Sequence, residues 1–373
     1  MGKIYTALGL MSGTSMDGVD TSIIQSDGNS KYKAILDRYF EYPKGIYNNL
    51  TKLRDKIKSS KDLKKHQKQI KAVEKEITIF HAKAVNEILK KKKANIDFIG
   101  FHGQTIFHNI DEKITKQLGD GKLLSKLTKK TVVYDLRQND LKNGGQGAPL
   151  TPIFHKMLVK KLNFKSATFI NIGGIINETS IFDDGSFQAH DLGPGMCLID
   201  KWIRTNSKKR YDDKGNLAMT GKINQKIFDN AVRNWMYITG MYTRKSLDVR
   251  EMESFFDYSS LKKLTLEDGA ATFTAFTVEA LAGILPGILG SHPTYHRFIL
   301  CGGGRKNDFL VKSIDRLVGG PELIDDHGID GDFIESQAFA YLAIRSFLKL
   351  PISFPSTTGC KKPCTGGVLV KNF

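Results

Sequence analysis

Two glycine-punctuated turns and three glycine-rich loops of this chain carry side chains able to bind anions or move protons. The first is Leu10-Met-Ser-Gly-Thr-Ser-Met-Asp-Gly-Val-Asp20. Gly13 and Gly18 let backbone N–H groups converge on an anion. Ser12, Thr14 and Ser15 add hydroxyl donors, and Asp17 or Asp20 could hold Mg²⁺ through water. The Gly-Lys-Ser/Thr ending of a P-loop is missing. A plain hairpin would need fewer of these residues than two glycines, three hydroxyls and two acids in eleven positions.

The second stretch, Gly100-Phe-His-Gly-Gln-Thr105, closes a strand. His102 and Gln104 there are suited to sugar hydroxyls, with a satisfied structural histidine as the equal alternative. The third joins Asp135-Leu-Arg137 to Gly144-Gly-Gln-Gly-Ala-Pro149. Arg137 can clamp a carboxylate or phosphate as a bidentate fork, or pair with Asp135 to brace a turn. In the fourth, Asn171, Gly173 and Gly174 form a second phosphate-facing turn, followed by Ala189-His-Asp-Leu-Gly-Pro-Gly195. Asp191 stands too far ahead of the helix near Cys197 to cap it, which favours a general base. In the fifth, an apolar strand runs from Phe298 into Gly302, Gly303 and Gly304. That arrangement suits close approach of backbone to an adenine or ribose. Glu335 opens a later helix, where a carboxylate also complements the helix dipole.

These segments must be positioned by alternating strands and helices, which argues for an α/β chain. Strands are expected at residues 4–11, 19–26, 98–102, 131–134, 167–172, 178–182 and 298–301. Helices are expected at 44–59, 64–93, 149–162, 197–204, 224–235, 266–283, 308–317 and 333–348. Each half contains a hairpin with a Gly-rich turn, at Leu8–Val19 and Asn171–Glu178. Two such halves are the plan of the actin-like and sugar-kinase ATPases. At 373 residues, two domains of ordinary size are expected. Their expected extents are 1–131 with about 346–373, and 132–345, around a central interdomain cleft.

Composition adds less. Hydrophobic residues make up 40% and charged residues 25%, which excludes a disulfide scaffold, a disordered chain and a collagen-like fibre. The net charge of +17 raises nucleic acid, a membrane surface or an anionic substrate as partners. The segment Thr51–Lys93 holds +10 of it, on helices whose apolar residues recur every three or four positions. It lacks the aromatic interleaving of single-strand binders, so a solvated lysine-rich face is expected and nucleic acid is not. The apolar start is too interrupted for a signal peptide and no stretch is a bilayer span, so a soluble, cytoplasmic chain is expected. Cys197, Cys301, Cys360 and Cys364 lack a Cys-x-x-Cys pair and a neighbouring His, so reduced structural thiols are expected rather than a zinc site.

Taken in order, Met11–Asp20, Phe101–Thr105, Gly144–Pro149, Asn171–Gly174, Asp191–Gly195 and Cys301–Gly304 resemble the motif set of the anhydro-N-acetylmuramic acid kinase family. The resemblance runs from residue 4 to about residue 368. It implies the two-domain actin-like/sugar-kinase (ASKHA) fold and usually a homodimer. The implied reaction converts ATP, 1,6-anhydro-N-acetylmuramate and water into ADP and N-acetylmuramate 6-phosphate, in recycling of peptidoglycan. It implies ATP with Mg²⁺, the ATP held at Gly13, Thr14, Ser15, Met16, Asp17, Gly18, Val19 and Asp20, and at Gly173, Gly174, Gly302, Gly303 and Gly304. Asp191 is the expected base, and Glu335 is expected to act with it. His102, Gln104, Arg137, Asn171 and Gly193 are expected to hold the sugar. The chain departs from the family at Asp191-Leu-Gly-Pro-Gly-Met196, at Gly-Gly-Ile-Ile-Asn177 and at Lys245-Ser-Leu-Asp-Val-Arg-Glu251. A kinase for another 1,6-anhydro sugar such as levoglucosan, and a non-enzymatic actin-like ATP-binding protein, are the alternative readings.

Overall fold

The computed structural model describes residues 2–92, 95–239, 247, 252–289 and 296–373. The chain divides into two compact units, Met1–Asn163 with Phe333–Phe373, and Phe164–Asp332.

The first unit is built on a seven-stranded sheet. Strands β1 (Tyr5–Ser12), β2 (Gly18–Ser26) and β3 (Tyr32–Glu41) form an antiparallel meander. β4 (Phe98–Asn109) pairs parallel with β1 and antiparallel with β5 (Ile114–Leu118), and β6 (Thr131–Tyr134) pairs parallel with β4. The second unit carries a five-stranded sheet. There β7 (Ala167–Ile172), β8 (Ile175–Ile181) and β9 (Phe187–Pro194) form the meander. β10 (Arg297–Cys301) pairs parallel with β7 and β11 (Glu322–Leu323) parallel with β10. The order β3-β2-β1-β4-β6 of the first unit thus recurs as β9-β8-β7-β10-β11. This repeated plan, three antiparallel strands continued by two parallel ones, is the duplicated α/β architecture of the actin-like and sugar-kinase ATPases. The last strand, β12 (Val368–Val370), returns antiparallel onto β6.

The first unit extends beyond both expected limits: its first stretch ends at Asn163 and not at 131, and its second begins at Phe333 and not at about 346. The reason lies in packing. β6 is hydrogen-bonded to β4, and the helix Ile334–Phe347 lies on β1, β2 and β4, so both stay with the first unit. Two glycines make that docking close. Gly9 on β1 and Gly100 on β4 sit side by side in register. A Cβ on Gly9 would meet Ser336 O at 1.9 Å, and one on Gly100 would meet Phe339 O at 2.1 Å. No side chain fits at either position.

Seven expected strands and eight expected helices have counterparts, although β4 runs to Asn109 and not to 102, and the helix from Leu266 runs to Leu289 and not to 283. β3 lies outside the expected strands because only Tyr32 is buried and it carries Lys33, Asp37, Arg38 and Glu41, which blurs the apolar alternation of a half-buried strand. β9 ends in Gly-Pro, a turn signal. The basic segment forms helices Lys44–Lys56, Ser60–Lys65 and Gln67–Lys92. Leu50, Leu53, Ile57, Ile70, Val73 and Ile77 pack inward, and the lysines between them are mostly exposed. No helix among the described residues is long and apolar enough to cross a membrane. All four cysteines are free thiols.

Candidate functional site

In the first unit, the turn joining β1 to β2 is fastened from behind. Ser12 Oγ donates to Gln104 Oε1 at 2.6 Å or to Gly18 O at 2.8 Å, and accepts from the Tyr42 hydroxyl at 3.1 Å. Gln104 Nε2 donates to Gly13 O at 3.0 Å. Gly18 has no room for a side chain, since a Cβ would meet Phe40 O at 2.5 Å. Ser12 and Gln104 are both buried. Their polar atoms hold the turn, so Gln104 acts as a brace. Met16 and Val19 are also buried, in the apolar core, which leaves only their backbone for a ligand. Met16 adopts φ 58°, and its N–H donates to Gly13 O. Thr14 and Ser15 are exposed, and Ser15 Oγ donates to Asp17 Oδ1 at 2.6 Å. Burial, followed by the charges of Asp17, Glu41 and Asp20, holds the Tyr39 phenol above its ordinary range. Negative charge therefore collects at the β2 end of the turn.

Deeper in the same unit, His102 and Arg137 meet. His102 Nδ1 donates to Gly103 O at 2.8 Å. Its Nε2 accepts from Arg137 Nε at 3.1 Å and Nη2 at 2.9 Å. Burial, reinforced by the Arg137 charge, drives the imidazole well below its usual range, so His102 is neutral. Arg137 Nη1 donates to Gly147 O at 2.7 Å. That loop is held in turn by Asp140, whose Oδ2 accepts from Gly147 N–H at 2.7 Å and whose backbone O accepts from Gly145 N–H. Glu335, in the first turn of Ile334–Phe347, lies in the field of Arg137. Burial raises its carboxyl above the ordinary value and Arg137 opposes the rise.

In the second unit, the Gly173-Gly174 turn between β7 and β8 closes on the end of β9. Gly195 N–H and Cys197 N–H donate to Gly174 O, and Met196 N–H donates to Gly173 O. A Cβ on Gly195 would meet Gly173 O at 2.3 Å. Asp191 is paired in register with Asn177 across β8 and β9, just past a bulge. Its carboxylate is half-buried, and Oδ2 accepts from Leu247 N–H at 2.8 Å. Of the variant segment Lys245–Glu251, only Leu247 is among the described residues. Gly193 is buried and packs against Ala280 and Trp235. Asn171 is buried beside Cys301, with Oδ1 3.8 Å from its sulfur.

The Gly302–Gly304 loop leaves β10 with Gly302 at φ 79°, a conformation that favours glycine. A Cβ on Gly304 would meet Ile172 at 2.2 Å, whereas Gly303 has nothing within 4 Å. Gly303 thus faces open space. The loop leads into the helix Asp308–Val318, capped by Asn307 Oδ1 on Leu310 N–H at 2.9 Å. Its brace is Arg305, which donates to Gly302 O at 3.0 Å, to Asp325 at 2.6 and 2.8 Å and to Asp332 at 2.6 Å.

The supporting residues Tyr42, Asp140 and Arg305 were not singled out in the sequence. Asp140 and Arg305 had a visible signal, since each lies within five residues of a glycine run. Tyr42 had none.

The profile described as anhydro-N-acetylmuramic acid kinase matches residues 5–372. A relative from Pelagibacter ubique named anhydro-N-acetylmuramic acid kinase is 51% identical, with all of both chains covered. The proteins of that name from Agrobacterium fabrum and Rhizobium etli are 38% and 37% identical, covering 100% and 99% of each chain. With a whole-length profile match and relatives well above 30% identity, the chain belongs to the anhydro-N-acetylmuramic acid kinase family and is a kinase.

Proposed function

We propose that this kinase hydrolyses the 1,6-anhydro bond of 1,6-anhydro-N-acetylmuramate and phosphorylates O6 with ATP, yielding N-acetylmuramate 6-phosphate for cell-wall recycling. The reading rests on family membership. The observation that carries the residue assignments is the pair of braced glycine turns, one ending β1 and backed by the buried side chains of Ser12 and Gln104, one ending β7 and held by backbone N–H groups of Gly195, Met196 and Cys197. Neither the levoglucosan reading nor the non-enzymatic one has support in the relatives' shared name.

The chemistry divides as follows. A 1,6-anhydro sugar carries O6 as its own leaving group at C1. An ordinary glycosidase needs an acid to protonate the leaving oxygen and a base to activate water. Here O6 leaves C1 and takes the γ-phosphoryl group, so the acid becomes less necessary. Asp191 is the base: it accepts a proton from the water whose oxygen bonds to C1. The Leu247 N–H on Oδ2 fixes the carboxylate's direction. Arg137, held by His102 and Gly147, orients the lactyl carboxylate, and Glu335 orients the sugar ring. The Gly13–Asp20 turn, Gly173-Gly174 and Gly302–Gly304 take the nucleotide. The open space at Gly303 and the hydroxyls of Thr14 and Ser15 fit that role. The charge that gathers around Tyr39 fits Mg²⁺ near Asp17 and Asp20, where the ion would neutralise phosphate charge.

The test is turnover in ¹⁸O water with ATP, Mg²⁺ and 1,6-anhydro-N-acetylmuramate. Label at C1 of a 6-phosphorylated sugar is expected. Unlabelled product, or none, refutes the reading. A cytoplasmic homodimer accompanies this reading, and light scattering of the purified protein checks the dimer.

A further inference from the structure

Asp140 faces more than the glycine loop. One oxygen of Asp140 and the sulfurs of Cys360 and Cys364 all lie within 4.8 Å of one another. The three residues are buried, Asp140 and Cys360 to 1% exposure and Cys364 to 8%. Cys364 Sγ stands 3.9 Å from Asp140 Oδ1 and 3.0 Å from Ser353 Oγ. The short helix Pro355–Thr358 ends at Gly359, with φ 73°, and this turn leads the two thiols toward the carboxylate. The sequence spacing gave no sign of a metal site, because the third donor comes from more than two hundred residues away.

We propose that Asp140, Cys360 and Cys364 bind one thiophilic divalent cation of the zinc type. Zinc takes thiolate sulfur at about 2.3 Å and carboxylate oxygen at about 2.0–2.2 Å. A tetrahedral set of these donors has its ligand atoms roughly 3.5–3.8 Å apart, so a small side-chain adjustment closes the cluster around an ion. Two sulfurs exclude Mg²⁺ and Ca²⁺, which are bound through oxygen. Thr358 Oγ1 donates to Asp140 Oδ1 at 2.6 Å, the outer hydrogen bond that steadies a ligating carboxylate. Ser353 Oγ or a water completes four-fold coordination. On binding, each thiol gives up its proton to solvent and its sulfur bonds to the metal, with no change of oxidation state. Asp140 Oδ2 keeps the Gly147 N–H, so the ion ties residues 360–364 to the loop beneath Arg137 and stiffens it.

The whole protein, reduced and stripped with a chelator, is titrated with Zn²⁺ by calorimetry and with Cd²⁺ by ultraviolet absorption. One ion per chain, a sulfur-to-cadmium charge-transfer band and a higher melting temperature are expected. Cys360→Ser and Cys364→Ser each lower affinity by at least the roughly 10–100-fold that loss of an outer-shell partner costs and leave a weaker band from the one remaining thiolate, while Cys197→Ser keeps both. Binding of less than one ion per chain, or a band that survives the double Cys360→Ser, Cys364→Ser variant, overturns the proposal. If those variants do not fold, X-ray absorption of the zinc-loaded wild type decides. Two sulfur and two oxygen neighbours support the site, and any other sulfur count overturns it.

Discussion

His102 Nε2 accepts from two nitrogens of Arg137, at 3.1 Å from Nε and 2.9 Å from Nη2. The geometry requires a bare Nε2, and the hydrogen bond from Nδ1 to Gly103 O places the ring proton on the other side. A histidine that is kept neutral thereby serves as the acceptor that orients a cation. Of the two readings open for His102, a contact for sugar hydroxyls and a satisfied structural histidine, the hydrogen bonds favour the second, with the ring positioning Arg137.

Removing that acceptor should therefore show in substrate binding. His102→Ala leaves Arg137 with Gly147 O but without its lateral support. Losing hydrogen bonds to a charged group costs about 1.5–3 kcal/mol, so KM for the anhydro sugar should rise on the order of 10–100-fold. The expected kcat stays within a few-fold, and His102→Gln, which restores an acceptor, recovers part of the loss. Steady-state kinetics checks this. An unchanged KM in His102→Ala contradicts it.

Stability should fall as the solution turns mildly acidic. Burial pushes His81 down to about 4 and His155 down to about 3, and burial with Arg137 lowers His102 as well. In the unfolded chain these imidazoles take up protons near pH ~6.5, while in the fold they do not. The unfolded state then binds more protons, so stability is intact above that pH and is lost as pH falls toward the folded values. Each histidine contributes a loss of up to about 1.4 kcal/mol per pH unit in that window. The melting temperature should drop between pH 7.5 and 5.5, above the range where most carboxylates titrate. A flat profile there would falsify the assignment of neutral buried histidines.

Gln104→Leu tests the brace behind the first turn. The substitution removes one of the two acceptors open to Ser12 Oγ and one of the two donors to Gly13 O, at a cost of about 0.5–1.5 kcal/mol for each lost hydrogen bond. The turn should loosen, so the expected result is a lower melting temperature and weaker nucleotide binding, measured calorimetrically with a non-hydrolysable ATP analogue. Nucleotide affinity equal to wild type would remove the turn from the nucleotide site.

The glycine turns were legible in the sequence because glycine, hydroxyl and acid cluster there beyond what a turn requires. Their order also carried the family. What was not legible is which polar side chains face a ligand and which face inward. Gln104, His102 and Gly193 all sit inside motifs, yet Gln104 and His102 are buried braces and Gly193 is a packing position. Adjacency in a motif gives proximity, whereas orientation depends on strand register and on partners far along the chain, such as Arg137 for His102. The domain limits were blurred for a similar reason. Nothing local marks the helix Ile334–Phe347 as the element that packs on Gly9 and Gly100, two glycines brought side by side only by pairing of β1 with β4.

Arg305 supports the other glycine loop. Its side chain is 4% exposed and bridges Gly302 O to Asp325 and Asp332. Arg305→Met removes the bridge and leaves the acids facing one another. Breaking a buried pair costs about 3–5 kcal/mol, and the partial exposure of both acids puts the expected loss at the lower end. Chemical denaturation should register it. Nucleotide affinity should fall as well, because Gly302 loses its anchor, while the sugar KM stays near the wild-type value.

Asp191→Asn separates the chemical step from binding. The amide keeps the shape of the carboxylate and an oxygen able to accept from Leu247 N–H, so the local fold should persist. An amide cannot take a proton from water, and general base catalysis of this kind is worth about 10²–10⁴-fold. Turnover should fall by at least that much, while the nucleotide analogue binds with wild-type affinity. The sugar should also bind nearly as well, since the base acts on water and not on the ring. Turnover within a few-fold of wild type would remove Asp191 from the role of base. Joint loss of turnover and nucleotide binding would instead make it a support for the Gly173-Gly174 turn, which closes against the end of the same strand.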